Sequence, residues 1–157
     1  MAGHTENSVV IEAPLDLVWD MTNDIESWPA LFTEYASVEV LRRIGPTVRF
    51  RLTLKPDQNG TAWSWVSDRT SNPATRTVRA HRVETGNFEF MDIFWEYTEL
   101  SDGVQMRWVQ DFHMLDTAPV DDEAMTNRLN TNTVIQMNHI KRAVEKRAAE
   151  LSEGAFR

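Results

Sequence analysis

Residues 63–69 combine bulky aromatic side chains with a permanent charge. Because successive side chains of a β-strand point to opposite faces, a strand here places every second residue on one face. Those residues are Trp63, Trp65, Ser67 and Arg69. An inward arginine is costly to desolvate unless something binds its five N–H donors. Two interpretations stay open at this point: Arg69 ends a row of aromatic walls inside a cavity, or the tryptophans are ordinary core and Arg69 reaches water or a carboxylate at the strand end.

A second candidate for chemistry lies in residues 26–35, where aromatic and apolar side chains recur at positions i, i+3, i+4 and i+7. They are Trp28, Leu31, Phe32 and Tyr35. The spacing predicts a short helix with one apolar face. Packing on the core explains Leu31 and Phe32 well, but the phenol hydroxyl of Tyr35 needs a partner when it is buried.

Two more polar side chains fall in strand patterns. Gln110 is the lone polar residue in the apolar stripe of the strand at residues 105–114. A buried amide needs hydrogen-bond partners, so Gln110 either ties the core together or addresses a ligand. Arg82 shares a face with Glu84 in the strand at residues 76–84, where a solvated or cross-strand pair is the simplest interpretation and a ligand role the alternative.

The chain ends in a long predicted helix. Asp121 is typical of an N-cap, with Val120 and Met125 placed as a hydrophobic staple. The apolar stripe of this helix is interrupted in its middle by Asn132 and Gln136. A helix packed tightly on a sheet would carry apolar residues there. The interruption therefore predicts a cavity beneath that stretch.

The order of elements predicts an α+β fold. A strand at residues 6–12 is followed by two short helices, at residues 14–20 and 26–35. Antiparallel strands follow at residues 38–43, 48–55, 63–69, 76–84, 88–99 and 105–114. We expect about seven strands in a curved sheet wrapped around the long C-terminal helix. Residues 1–157 form one predicted domain, with frayed ends at residues 1–6 and 152–157.

Composition excludes several classes of function. The net charge of −8 argues against nucleic acid and anionic membranes as partners. There is no cysteine, and the four histidines lack metal-ligand spacing, so we expect no metal and no other cofactor. No signal peptide or membrane-spanning run is evident, which predicts a cytoplasmic protein. Six tryptophans and seven phenylalanines are typical of a pocket for a flat apolar ligand.

Four longer stretches extend these patterns and read APLDLVWDMTNDIESWPALFTEYA, NGTAWSWVSDR, RTVRAHRVETGNFEFM and MRWVQDF. On these stretches the chain resembles the aromatase/cyclases of bacterial aromatic (type II) polyketide synthases, and it is most similar to the tetracenomycin and spore-pigment members. The resemblance covers residues 5–147. It implies the helix-grip fold, with an interior cavity, that this family shares with lipid-transfer START domains and the birch-pollen allergen.

The resemblance also implies an activity. The protein would receive a linear poly-β-ketone from an acyl carrier protein and direct first-ring aldol closure, between carbons nine and fourteen, and aromatisation without a cofactor. The product would be an antibiotic or a spore pigment. Basic residues near the pocket mouth would meet the acidic carrier protein. We expect a monomer or a weak dimer.

The family's polar pocket residues fall on Arg69, Tyr35 and Gln110 of this sequence. Its aromatic and apolar walls fall on Trp28, Phe32, Trp63, Trp65, Phe88, Met91, Trp95 and Trp108. We further expect substrate contacts from Ser67, Arg82, Met125, Asn132 and Gln136. One departure is Gln136, where the most similar relatives are expected to carry the shorter asparagine, so the longer amide would narrow or re-aim the pocket.

This implied chemistry agrees with the residue types. Methylenes between two ketones are already acidic, so the protein must mainly impose one folding pattern. Arg69 would act as electrophile and anchor, Tyr35 as proton donor and Gln110 as a positioning group. The alternative is a non-catalytic carrier of a lipid, a quinone or another hydrophobic ligand. A carrier needs only apolar lining, so an interior Arg69 favours the cyclase and an exterior one favours the carrier.

Overall fold

Alternating apolar and polar side chains fold most of the chain into one antiparallel sheet. The computed structural model describes residues 2–154. The strands are β1 (Gly3–Ile11), β2 (Tyr35–Ile44), β3 (Thr47–Leu54), β4 (Ser64–Asn72), β5 (Thr77–Arg82), β6 (Phe88–Leu100) and β7 (Gly103–Met114). The helices are α1 (Leu15–Asn23), α2 (Trp28–Leu31) and α3 (Asp122–Gly154), and a 3₁₀ turn at Ile25–Ser27 precedes α2.

The sheet has the strand order β1-β7-β6-β5-β4-β3-β2, with every neighbouring pair antiparallel. Strands β2 to β7 are therefore a meander, and β1 closes the order beside β7. Helices α1 and α2 connect the two edge strands, and α3 packs against β1. This is the α+β helix-grip architecture that the sequence predicts. Within residues 2–154, no helix is both long and apolar enough to cross a membrane.

The two ends of the chain are more ordered than predicted. Gly3 pairs with Phe112 and Thr5 with Gln110, so residues 3–6 belong to β1 instead of fraying. Gly3 lies beneath the Phe112 ring, which leaves no room for a Cβ atom. At the other end, α3 continues through residues 152–154, where fraying was also predicted. Met1 and residues 155–157 lie outside the described residues.

The start of α3 confirms the predicted cap. The Ala124 amide donates to Asp121 Oδ1 at 2.9 Å, and Val120 packs in the same cluster as Met125. Asp122 ties the helix to the sheet, because its carboxylate accepts the Met114 amide at 2.7 Å. That hydrogen bond is the largest of the interactions that lower the pKa of Asp122.

The predicted helix at residues 26–35 ends early, because α3 holds the chain after α2 in an extended form. Gln136 Oε1 accepts the Thr33 amide at 2.9 Å, and Gln136 Nε2 donates to Thr33 Oγ1 at 2.7 Å. His139 Nδ1 lies 2.7 Å from the Leu31 carbonyl oxygen. The Thr33 amide is therefore not available to an α-helical carbonyl. Tyr35 consequently begins β2 and is not on a helix.

A third side chain of α3 contacts the same connection. Asn132 Nδ2 donates to Glu34 Oε2 at 2.9 Å. Asn132, Gln136 and His139 are spaced by four and three residues and so share one face of the helix. We call these three residues the α3 clamp. They fix residues 31–34, and with them the direction in which β2 begins.

The α3 clamp makes a prediction about stability. Gln136 is 2% exposed, and replacing it by leucine removes both hydrogen bonds to Thr33. We expect Gln136→Leu to lower the free energy of unfolding by about 1–3 kcal/mol, measured by urea denaturation. Asn138→Leu, at an exposed position of α3, is the matched control and should change it by less than about 0.5 kcal/mol. Equal stability of both variants and the parent would contradict the clamp.

Candidate functional site

The concave face of the sheet carries a cluster of aromatic rings. Trp95 and Trp108 stack with their centroids 4.4 Å apart and their planes 7° from parallel. Phe32 stacks on Trp108 at 5.9 Å, and Trp28 lies 5.1 Å from Phe32. Phe50 meets Trp28 edge-on at 5.7 Å. We call these five residues the aromatic cluster, and α2 with its extension contributes two of them.

Arg69 is buried in the aromatic cluster. Its side chain is on the inner face of β4 and only 3% exposed. The guanidinium carbon lies 5.2 Å from the Trp28 ring centroid and 4.8 Å from that of Trp95. Among residues 2–154 no carboxylate pairs with Arg69, and its buried Nη2 has no hydrogen-bond partner. The geometry supports the interpretation of Arg69 as an interior group.

Burial controls the ionisation of this guanidinium. Desolvation lowers the pKa of Arg69 to about 10, and the nearby phenols of Tyr97 and Tyr35 act in the opposite direction. Because about 10 is still well above neutrality, the group keeps its charge at pH 7. The interior therefore contains a permanent cation that the protein itself does not neutralise.

Arg82 is a second inward arginine. It lies opposite Ser67 across the β4–β5 ladder, so both side chains share the inner face with Arg69. Its guanidinium carbon sits 4.0 Å from the Trp65 ring centroid and 4.7 Å from that of Phe88. Burial lowers the pKa of Arg82 to about 10. Arg82 is half-buried, which places it closer to solvent than Arg69.

The predicted pair between Arg82 and Glu84 is wrong. Glu84 instead receives two hydrogen bonds from Arg51, at 3.0 and 3.1 Å, on the outer face. The reason is a bulge at the end of β5, where the Val83 and Glu84 amides both donate to the Val66 carbonyl. The bulge interrupts the two-residue alternation on which the sequence prediction depended.

Tyr35 borders the aromatic cluster from the first position of β2. Its ring centroid is 4.7 Å from that of Phe32 and 5.9 Å from that of Trp28. Burial and the negative charge of Glu34 raise the pKa of Tyr35 well above its usual value. The phenol is therefore protonated at neutral pH and is able to donate a hydrogen bond.

Glu34 is a polar residue of this region that sequence reasoning missed. Its carboxylate is half-buried, and burial raises its pKa despite the hydrogen bond from Asn132. The apolar spacing of residues 26–35 gave Glu34 no special place, since it fell on the polar side of the predicted helix. The indole N–H of Trp108 was missed too, and it is buried without a hydrogen-bond partner.

Gln110 has a structural partner on β1. Its Oε1 accepts a hydrogen bond from Thr5 Oγ1 at 3.0 Å. The interaction supports the interpretation in which this amide ties two strands together. The side chain is half-buried on the same face as Trp108, so a second role toward a ligand stays a prediction.

The predicted walls divide into three groups. Trp28, Phe32, Trp95 and Trp108 belong to the aromatic cluster, with Trp65 packed against the same core. Phe88, Met91 and Met125 form a neighbouring cluster with Phe112 and Met114. Ile93 packs against both clusters and joins them.

Trp63 is not a wall of this interior. It is 52% exposed, because β4 begins only at Ser64 and the Trp63 indole N–H donates to Asp57 Oδ2 at 2.9 Å. Asn132 and Gln136 are also used differently from the prediction, since their amides form the α3 clamp. Substrate contacts from those two residues stay a prediction.

The aromatic rings fill the space around Arg69. One surface cleft of about 390 Å³ lies between residues 12–15 and 99–103, and another of about 200 Å³ lies beside Met21 and Ala143. Neither cleft is lined by Arg69. The half-buried side chains Tyr35, Trp65 and Arg82 mark the end of the interior that is closest to solvent.

Comparison with known proteins places this arrangement in a family. A family model described as "Polyketide cyclase / dehydrase and lipid transport" matches residues 11–149. A candidate polyketide cyclase of Streptomyces cyaneus is 60% identical over 146 residues, which cover 93% of this chain and 96% of that protein. A second candidate polyketide cyclase, of Streptomyces halstedii, is 66% identical over 69% of this chain and 100% of its own length.

More distant relatives agree. The actinorhodin polyketide synthase bifunctional cyclase/dehydratase of Streptomyces coelicolor is 30% identical over 68% of this chain, which spans about a third of that protein, 34%. The crystal structure of the Zhui aromatase/cyclase from Streptomyces sp. R1128 has the same fold, with a TM-score of 0.83 and 24% identity over 94% of this chain and 96% of that one. The chain therefore belongs to the polyketide cyclase/dehydrase and lipid transport family, which confirms the resemblance found in its sequence.

Proposed function

We propose that the protein is an aromatase/cyclase of a type II polyketide synthase. It binds a linear poly-β-ketone delivered by an acyl carrier protein, closes the first ring between carbons nine and fourteen, and directs its dehydration and aromatisation. The observation that carries this proposal is Arg69, a buried and unpaired cation among aromatic rings. The names of the relatives support the reaction class.

Shape is the first contribution of the protein to this reaction. A poly-β-ketone folds in several ways in water, and each fold brings different carbons together. Stacked and tilted rings such as Trp95, Trp108 and Phe32 leave flat spaces that suit a chain of planar carbonyl units. Holding the reacting carbons in contact replaces a search among conformers by one closure.

Charge is the second contribution. In the aldol step an enolate carbon attacks a ketone, a carbon–carbon bond forms, and the electron pair of the C=O bond moves to oxygen. The Arg69 guanidinium donates hydrogen bonds to that alkoxide, and a low-dielectric site strengthens them. The Tyr35 phenol, protonated at neutral pH, gives the alkoxide a proton and takes one back from solvent.

Aromatisation then removes the new hydroxyl as water. A ring proton leaves to solvent, its electron pair forms the double bond, and Tyr35 protonates the departing hydroxide. Gln110 orients a carbonyl from the far side of the aromatic cluster. Because rings fill the interior, the chain must enter by displacing side chains at the end marked by Tyr35 and Arg82.

A carrier of hydrophobic molecules is the rival function, and the family description includes lipid transport. A carrier requires only apolar lining, whereas Arg69 lies inside the aromatic cluster. A buried unpaired charge lowers stability and does nothing for an uncharged hydrocarbon. The position of Arg69 therefore favours the cyclase.

The cost of Arg69 to stability is testable. The difference between the ordinary arginine pKa and about 10 corresponds to about 3 kcal/mol of folding free energy. Burial penalises the charged form, so this cost is complete below pH 10 and fades as pH rises further toward the ordinary value. Contacts with two rings offset part of it. We expect Arg69→Met to raise the free energy of unfolding at pH 7 by about 1–3 kcal/mol.

The control for this measurement is Arg79→Met, on the adjacent strand. Arg79 also stacks on a ring, with its guanidinium carbon 4.6 Å from the Phe94 centroid, but it is exposed. It should change stability by less than about 0.5 kcal/mol. An Arg69→Met variant less stable than its parent would show that the guanidinium has a structural partner.

The catalytic role of Arg69 is tested by product analysis in a reconstituted synthase. Arg69→Met should keep its circular dichroism spectrum and still bind a planar aromatic dye. It should lose about 100-fold or more of the rate of the single-fold product, in line with the loss of an oxyanion donor, and release the mixture of spontaneous shunt products. Arg79→Met should leave the product unchanged. Unaltered selectivity in Arg69→Met would contradict the assigned role.

A further inference from the structure

The interior holds two guanidinium groups and no anion that balances them. Arg69 Nη2 is buried without a partner, and no carboxylate within residues 2–154 forms an ion pair with Arg82. Nearby carboxylates are committed elsewhere: Asp68 to Arg49 at 2.8 Å, and Glu84 to Arg51. We call Arg69 and Arg82 the arginine pair.

The arginine pair forms a compact set of donors. Ser67 is directly opposite Arg82 in the β4–β5 ladder and two residues before Arg69 on β4. Two residues of a strand span about 7 Å, so the hydroxyl lies between two guanidinium groups on one face. Aromatic rings stack on each guanidinium and leave its plane edge open for hydrogen bonds. The set is suited to a flat acceptor with several oxygens.

Every other group that faces this set is neutral or held by another partner. Tyr35 of β2 and Tyr97 of β6 have pKa values raised by burial and stay protonated. The Tyr97 hydroxyl is 2.6 Å from Thr22 Oγ1. The Glu34 carboxylate accepts its hydrogen bond from α3, through Asn132. The α3 side chains that face inward here are amides, so the positive charge is left for a ligand.

The charge and shape of this set select the chemical form of the ligand. A neutral apolar ligand leaves two cations unbalanced, whereas an anion pairs with them. The enolate of a β-diketone is a planar anion whose two oxygens have the same arrangement as those of a carboxylate. A guanidinium binds such a pair of oxygens through two parallel N–H bonds. The flat delocalised anion also stacks between aromatic rings.

We propose that the arginine pair, with Ser67 between its members, is an enolate site that binds β-diketone units of the ligand in their deprotonated form. The choice of a β-diketone rests on the proposed function. The choice of an anion rests only on the unbalanced charge. On binding, the methylene between two carbonyls loses one proton to water, and its electron pair spreads over both oxygens. The carbon that will attack in the aldol step is thus prepared before the ring closes.

This site makes the acidity of a bound diketone measurable. Because the arginine pair binds the enolate more tightly than the neutral diketone, it lowers the pKa of the bound diketone. Binding tightens as pH rises from the bound pKa toward the free one. The arginines keep their charge up to about pH 10, so they do not limit this range.

The test uses benzoylacetone, whose enolate absorbs at a longer wavelength than its diketone form. We expect the wild-type protein to bind it and to lower its pKa by at least about one unit, equivalent to at least tenfold preference for the enolate. The α,α-dimethyl analogue cannot form an enolate and should bind at least tenfold more weakly. Arg69→Met and Arg82→Met should each reduce the shift, and Arg79→Met should preserve it.

Three outcomes overturn the proposal. One is the absence of benzoylacetone binding to the wild-type protein, a second is binding with an unchanged pKa, and a third is an unchanged shift in both arginine variants. The wild-type titration decides even if a variant fails to fold. Cyclisation in the reconstituted synthase without a pKa shift would overturn the enolate site alone. A pKa shift without cyclisation would keep the site and overturn the proposed function.

Discussion

The structure depends on one unfavourable interaction, the burial of the Arg69 charge without an ion-pair partner. Aromatic faces reduce its cost, because the negative face of an indole attracts a cation and Trp28 and Trp95 both lie near the guanidinium. They do not remove it, since Nη2 keeps an unused donor. A protein that needed only a stable core would place an apolar side chain here. The residue makes sense as part of a site whose remaining partner is the ligand.

The rest of the fold holds the rings around that charge. The β4–β5 register sets Arg69, Ser67 and Arg82 on one face. Helix α2 supplies Trp28, and the connection after it supplies Phe32 and the start of β2. That connection is extended because the α3 clamp binds its amide and side-chain groups. A long helix packed on one edge of the sheet thereby determines the geometry of a site on the opposite side of the interior.

Much of this could be predicted from the sequence, because two-residue alternation survives in most strands. The inner-face position of Arg69, the seven strands and the Asp121 cap follow from periodicity and capping alone. The failures have local physical causes. A helical spacing placed Tyr35 on a helix, but hydrogen bonds from Gln136, 103 residues away, unwound that turn.

Other misses arose where a strand departs from regular geometry. Trp63 has the parity of an inner residue but precedes the first residue of β4, and Asp57 holds it outside. Glu84 has the parity of Arg82, but the bulge after β5 turns it to Arg51. Glu34 carried no signal, because its partner Asn132 lies on a distant helix. Parity rules do not contain these long-range contacts.

The measurement that tests the account most directly is reconstitution of the wild-type protein with a minimal polyketide synthase, followed by separation of the products by mass and retention. The account predicts that the protein converts a mixture of spontaneous shunt products into one aromatic product with a single ring pattern, which also reveals the chain length. An unchanged mixture would contradict it and would leave a helix-grip protein that binds, but does not cyclise, its ligand.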